Sequence, residues 1–215
     1  MNELALFPGQ PMRVYQVPEL NEDDWIVQIK KNGRRCIVRC AGDDTPVELF
    51  NRHGERLTNT QDWQWLSEVI PPPFVLDGEE LGSRQAGAER NRLVLWDCIL
   101  LDGETLLDHW YTRRLVILRH RINHSGLRPV TGSFDQIAAL GFLGCWRRDV
   151  WQRNGQYFGI LGDLPLGDWP MFWELITDAD GPDEGLVFKR ATVALAWHPR
   201  PGVKDPHQLK LRRKG

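Results

Sequence analysis

Three features of the sequence predict an α+β fold of mainly antiparallel sheets. Strand-like and helix-like segments mix irregularly, with no repeating β-α period, which argues against a parallel α/β sheet. Asn-Gly pairs at Asn32-Gly33 and Asn154-Gly155 sit between apolar-alternating runs, the pattern of short hairpins. The composition is that of an ordinary globular protein, 41% hydrophobic and 26% charged over 215 residues. That length suits one large domain or two small ones.

The elements follow in order. Residues 1–24 are Pro-rich, then acidic, and read as a lead-in with one short strand at most. Trp25 to Val38 reads as strand, tight turn and strand, because Asn-Gly tolerates the positive φ of a hairpin turn. Val47 to Phe50 is a short strand, and Asn51 to Glu55 its turn. Thr60 to Ile70 starts like a capped helix and carries Trp63, Leu66, Val69 and Ile70 at helical spacing. Pro71 to Pro73 stop it. Phe74 to Leu76 is a strand ending at Asp77-Gly78-Glu79-Glu80, and residues 82–91 read as a loop. Leu93 to Leu101 is a strongly apolar buried strand. Thr112 to His120 follows as a helix with Leu115, Val116 and Leu118 inward. Phe134 to Leu143 is a helix or helix–turn, and Cys145 to Leu164 contains the Asn154-Gly155 hairpin. Pro170 to Thr177 is a short helix with Asp168 near its cap. Gly185 to Lys189, Ala191 to Trp197 and Gln208 to Arg212 read as strands.

Composition excludes several classes. No apolar run approaches the ~20 residues of a transmembrane helix, and the N-terminus has no basic start followed by an apolar region. Cys36, Cys40, Cys98 and Cys145 lie in apolar stretches without a CxxC pair, so reduced thiols in a cytoplasmic protein are expected rather than a zinc knuckle. The net charge of −2 argues against a purely electrostatic nucleic-acid binder. Charge is uneven, however: residues 204–215 form a basic tail with Lys204, Lys210, Arg212, Arg213 and Lys214 against Asp205. Such a tail reads equally as a solvated, frayed end or as a functional one. His120 and His124 are spaced i, i+4 with no third ligand nearby, which reads as a helix surface.

The chemistry centres on Lys30. A lysine where a strand runs into a turn is held by backbone on both sides. It can be aimed into a pocket and partly desolvated, which favours a nucleophilic amine. Strand alternation points the neighbouring Lys31 to the opposite face. On its own the stretch also fits an ordinary exposed hairpin. Further polar clusters sit at predicted strand ends: Arg52, Asp77-Gly78-Glu79, Trp96-Asp97, Glu184 with Lys189, and Lys210 with Arg212. Together they supply a lysine nucleophile, cations for phosphates, carboxylates for a ribose and a metal, and an aromatic face for a base. That set describes a nucleotide site.

In this arrangement Lys30-x-Asn32-Gly33-x-Arg35 resembles the nucleotidyl-lysine motif of the covalent nucleotidyltransferases, which are ATP-dependent DNA ligases, RNA ligases and mRNA-capping guanylyltransferases. Five later segments are similar to the family's further motifs, in its order. Leu49 to Thr58 resembles the segment that follows the first motif in DNA ligases. Leu76-Asp77-Gly78-Glu79 resembles the third motif and Leu95 to Gly103 the aromatic-Asp motif. Glu184 to Lys189 resembles the fourth and Leu209-Lys210-Leu211-Arg212 the fifth. Tyr111 to Leu118 is similar to the ligase helix with paired Arg. The likeness spans residues 25 to 213. It implies a nucleotidyltransferase (ATP-grasp-like) fold over 1–215, one adenylation domain of antiparallel sheets flanked by helices with a nucleotide cleft between them.

The resemblance implies an ATP-dependent polynucleotide ligase of DNA repair and replication. Lys30 would form a lysyl-AMP, AMP would pass to a 5′-phosphate, and a 3′-hydroxyl would displace it. A nicked DNA duplex is the expected partner. RNA ligase, capping guanylyltransferase and a non-catalytic end binder are the alternatives. Glu184 would hold Mg²⁺ (or Mn²⁺), and Glu79 would meet a ribose hydroxyl or the metal. Arg35 would meet the ribose or the 5′-phosphate side, and Arg52 the 5′-phosphate. Trp96 would stack on adenine. Ile29 lies beside the nucleophile in the nucleotide site. Lys189, Lys210 and Arg212 would neutralise the triphosphate. Gln28 stands where DNA ligases often carry Glu, and its amide can bond the adenine amino group or, flipped, present the opposite edge. Asn32 stands in place of the usual Asp, and the fifth motif reads Lys-x-Arg instead of Lys-x-Lys. No segment resembling the family's OB-fold domain follows it. A monomer without membrane attachment is expected.

Overall fold

A computed structural model describes residues 2–58, 63–81, 91–176 and 183–213. The expected start of the first helix at Thr60, most of the 82–91 loop and the last two residues of the basic tail lie outside these ranges. The elements are β1 (Phe7–Pro8), β2 (Gln10–Arg13), β3 (Trp25–Lys31), β4 (Gly33–Cys40), β5 (Glu48–Phe50), α1 (Leu66–Val69), β6 (Phe74–Leu81), β7 (Arg92–Leu101), β8 (Glu104–Thr105) and α2 (Tyr111–Asn123). They continue with α3 (Phe134–Ile137), β9 (Cys145–Arg153), β10 (Gln156–Leu161), β11 (Leu164–Pro165), α4 (Trp169–Leu175), β12 (Asp183–Arg190), β13 (Trp197–His198) and β14 (Lys204–Arg212).

Two sheets carry the fold, mixed α+β as expected. A seven-stranded sheet runs β5-β4-β6-β7-β10-β9 with β8 on β7, and a five-stranded sheet runs β11-β3-β12-β14-β2. All pairings are antiparallel except β10 with β7 and β14 with β2. Along β7 successive residues face different cores. Leu93 and Leu95 pack with Leu115, Leu118 and Ile122 of α2 and with Leu66 of α1. Val94 packs with Ile29, Leu186 and Phe188 of the other sheet. The larger sheet is therefore covered on both faces, which explains the unbroken apolar run of its central strand. Two bulges interrupt β7: Gly78 pairs with Leu95 and Asp77 with Asp97, which leaves Trp96 extra, and Ile99 is skipped in the same way. A bulge re-aims the side chains beside it, so Leu95 and Cys98, of opposite parity, join one core.

Residues 25–40 depart from the expected strand–turn–strand unit. They are not a hairpin: β3 pairs with β11 and β12, whereas β4 pairs with β5 and β6. The chain leaves one sheet at Lys31 and enters the other at Gly33. Gly33 is absent from the positive-φ positions; its need is space, since a Cβ there would lie 2.5 Å from the Glu80 carbonyl oxygen. The Asn154-Gly155 hairpin does form, with φ of 52° and 78°, and Asp102-Gly103 turns β7 into β8 in the same way.

Other expectations shift. The helix before the prolines is a single described turn, α1. Asp77, Glu79 and Trp96 lie within strands rather than at their ends. Val116 is 50% exposed, on the outer face of α2. Residues 191–196 form no strand. The lead-in supplies two short strands, and the basic tail through Arg212 is β14, an inner strand between β12 and β2. Alternation of charge with Leu209 and Leu211 marks the Gln208–Arg212 part as the expected strand; its start at Lys204 and its inner place depend on neighbours on both sides, which alternation does not name. All four cysteines are free and buried. No helix among the described residues is long and apolar enough to cross a membrane.

Candidate active site

Where β3 crosses from one sheet to the other, a cleft of about 410 Å³ opens between them. Lys30 lies on its floor. It stands opposite Gly185 of β12, and its Nζ is ion-paired with Glu184 Oε1. The side chain retains 14% exposure. Lys31 is removed from contention: its buried Nζ donates to the Gly141 carbonyl (2.9 Å), the Leu143 carbonyl (2.7 Å) and Asp183 Oδ1 (2.6 Å). The strand alternation expected from sequence separates the two lysines.

Glu184 also accepts from Arg212 at 3.0 Å, since Arg212 lies opposite Gly185 on β14. Gly185 has φ 152°, and a Cβ there would stand 2.1 Å from the Leu211 carbonyl oxygen. Only glycine lets β12 and β14 approach closely enough to bring Lys30, Glu184 and Arg212 together. Glu79 enters from β6 and accepts the Gly33 N–H at 2.7 Å. Burial pushes its carboxyl upward, Lys30 and the Gly33 amide oppose that rise, and Glu184 adds to it.

One end of the cleft is cationic. Lys30, Arg52, Lys210 and Arg212 all line it. Arg52 projects from the turn after β5, where Asn51 Oδ1 accepts from the His53 and Glu55 amides. The ammonium of Lys210 is held down to about 8 by partial burial, reinforced by Lys204, Arg212, Lys30 and Arg52. So many cations with few counter-charges suit a polyanion.

The other end is a polar pocket with an aromatic wall. Asp77 accepts from Arg35 Nε (2.9 Å) and Nη2 (2.6 Å) and from the Trp96 indole N–H (2.7 Å). This locks the ring of the bulged Trp96 in place. Lys189 lies toward this end, near Trp96 and Tyr111, because it stands opposite Ile26, four residues before Lys30. Its Nζ donates to Tyr111 Oη at 3.0 Å, and burial lowers it to about 8. Gln28, 1% exposed, donates to Tyr111 Oη (2.7 Å) and Asp163 Oδ1 (2.9 Å). Ile29 lines the wall between Gln28 and Lys30.

The structure thus gathers Gln28, Ile29, Lys30, Arg35, Arg52, Glu79, Trp96, Lys189, Lys210 and Arg212 around one cleft, with Glu184 bonded to Lys30. Asp97 turns away to a buried bidentate pair with Arg114 (2.9 Å each) and supports the fold. Sequence reasoning missed Tyr111 and Asp163, and also Gln10, Pro11 and Gln208, which wall the cleft from β2 and β14. Tyr111 carried no signal beyond its place in the paired-Arg helix, and Asp163 lies in a loop outside every motif.

No group of three or more His, Cys, Asp or Glu is gathered for a metal among the described residues. Mg²⁺ takes one or two carboxylates and completes its shell with water and substrate phosphate. Glu79 and Glu184, the latter close enough to raise the Glu79 carboxyl, provide that kind of donor set.

No family model matches the chain, and no curated protein matches it significantly. Solved structures do. Mycobacterial DNA ligase D complexed with ATP superposes with a TM-score of 0.64 at 18% identity, covering 100% of this chain and 62% of that one. This chain has the nucleotidyltransferase fold of ATP-dependent DNA ligases. The ligase domain of M. tuberculosis LigD superposes at a TM-score of 0.59 and 17% identity, covering 99% of this chain and 61% of that one. A Lig E DNA ligase gives 0.52 and 13%, covering 95% and 69%. The chain therefore spans about three-fifths of the two LigD structures. In this ligase-type fold the cleft between the sheets is walled by the six sequence motifs.

Proposed function

We propose that this chain is an ATP-dependent polynucleotide ligase that works through a lysyl-AMP at Lys30. The observation that carries the reading is the position of Lys30. It lies where the two sheets meet, bonded to Glu184, between a cationic end and an end walled by Trp96 and Gln28. A nucleoside triphosphate laid along the cleft would put its α-phosphorus over Lys30. Once Glu184 has taken one proton from the ion-paired ammonium, the freed Nζ lone pair attacks that phosphorus. The N–P bond forms, the P–O bond to pyrophosphate breaks, and the second N–H proton leaves with the pyrophosphate. Glu184, which accepts the hydrogen bond of Lys30, is placed to receive the first proton. Lys210 and Arg212 stabilise the charge that builds on the leaving pyrophosphate. A nucleic-acid 5′-phosphate oxygen then attacks the AMP phosphorus and Lys30 leaves with its proton restored. Finally a 3′-hydroxyl attacks the activated 5′-phosphorus and AMP departs.

Mg²⁺ held by Glu184 and Glu79 would supply Lewis-acid stabilisation of phosphate charge. Arg52, on the rim, is placed to fork onto the 5′-phosphate. DNA is favoured over RNA by the Leu49 to Thr58 segment and the Tyr111 to Leu118 helix, which resemble those of DNA ligases, and by similarity to solved DNA ligases. The test is incubation with Mg²⁺ and α-labelled ATP or GTP in parallel, followed by nicked duplexes with DNA or RNA on each strand. Acid-labile label from ATP and sealing of nicked DNA support the reading. Label from GTP supports a capping activity, and absence of label from both overturns the enzyme reading.

A further inference from the structure

The orientation of the Gln28 amide is decided by its neighbours. Both Nε2 hydrogens are used, one on Tyr111 Oη and one on Asp163 Oδ1. Neither partner can act as donor in their place. Tyr111 gives its own hydrogen to the Trp96 carbonyl at 2.6 Å and receives a third contact from Lys189. Asp163, when ionised, only accepts. Turning the amide over would lose two hydrogen bonds and set its oxygen against two acceptors. The nitrogen is therefore fixed away from the ligand, and Oε1 is the edge left to the cleft that Gln28 lines.

We propose that Asp163 and Tyr111 are positioning residues which hold Gln28 with its amide oxygen toward the ligand, so that the cleft selects a base with an exocyclic amino group at that edge. Adenine offers an amino group there and guanine a carbonyl, which would meet the oxygen acceptor to acceptor. A site built to bond a polar group rejects a ligand that leaves it unpaired far more strongly than an apolar pocket rejects a misfit. Lys189 is part of the device: its ammonium keeps Tyr111 an acceptor. The inference rests on the nucleotide-ligase reading for the identity of the site but not on its chemistry.

Equilibrium binding of ATP and GTP, followed by intrinsic tryptophan fluorescence, tests it without requiring turnover. Wild type prefers ATP. In Asp163→Asn the new amide can donate to Gln28 Oε1, the turned orientation becomes permissible, and the ATP-to-GTP preference falls about ten- to a hundred-fold, the worth of one or two hydrogen bonds. Tyr111→Phe reduces it in the same direction. In Gln28→Glu combined with Asp163→Asn, the asparagine donates to one carboxylate oxygen while the other faces the cleft, and ATP preference returns. Equal affinity of wild type for the two nucleotides overturns the proposal. So does equal weakening of both nucleotides in Asp163→Asn and Tyr111→Phe, which marks a merely structural role. Wild type that prefers ATP yet gains no covalent label would refute the ligase reading and leave this one standing.

Discussion

Lys210 and Lys189 are both lowered to about 8, but by different surroundings. Lys210 is crowded by cations at an end with few carboxylates, so a bound triphosphate would restore its proton. The affine form carries the proton; it predominates below pH 8 and is lost as the pH rises through that value. Affinity for ATP should accordingly fall above pH 8, by up to about tenfold per pH unit for one linked proton. Lys210→Arg, charged throughout, should flatten that part of the profile, as titration calorimetry at stepped pH would show. A pH-independent affinity in wild type would contradict the assignment. Asp97 and Arg114 make a different case, since both are buried and bidentate. Arg114→Met should destabilise the fold by about 3–5 kcal/mol, because it leaves a buried carboxylate unpaired. Urea unfolding measures this, and a loss below about 1 kcal/mol would count against it.

At the scale of elements, the decisive feature is the crossing from β3 to β4, and it shows how far a sequence can be read. The strands were legible from alternation, and so was the choice of Lys30 over Lys31, because side-chain direction follows from a period of two. Their partners were not. Pairing depends on contacts with Leu81, more than forty residues away, and with Asp183, over a hundred and fifty away. Asn-Gly has the same local signature in a hairpin and in a corner between sheets. Trp96 was legible as an aromatic beside Asp97, but its aim comes from a bulge specified by the register of β6 and β7. Tyr111 and Asp163 were illegible as site residues because their roles exist only after three segments meet at Gln28. Gly33→Ala tests the crossing. Its Cβ would collide with backbone, the Glu80 carbonyl, which no rotamer can relieve. We expect a cost of about 1–3 kcal/mol and a larger loss of nucleotide labelling, as Lys30 is only three residues away. Wild-type labelling with unchanged stability would show that the crossing tolerates a side chain.

For the whole molecule, a cleft formed between two sheets makes its ligand a brace. A nucleotide that touches Trp96 and Arg35 of the larger sheet and Gln28 and Lys210 of the smaller binds only the folded state. ATP at a hundredfold above its dissociation constant should add about 2.7 kcal/mol of stability, seen as a higher urea midpoint, with GTP adding less at equal concentration. No shift with either nucleotide would contradict the cleft as a nucleotide site. The step proposed at Lys30, however, is covalent. Peptide mass spectrometry of protein incubated with ATP and Mg²⁺ tests it most directly. An AMP adduct on Lys30, absent from Lys30→Ala and still formed in Lys31→Ala where that variant folds, is the result predicted. An adduct mapped to Lys31, Lys189 or Lys210, or a folded wild-type protein that carries none, would contradict it.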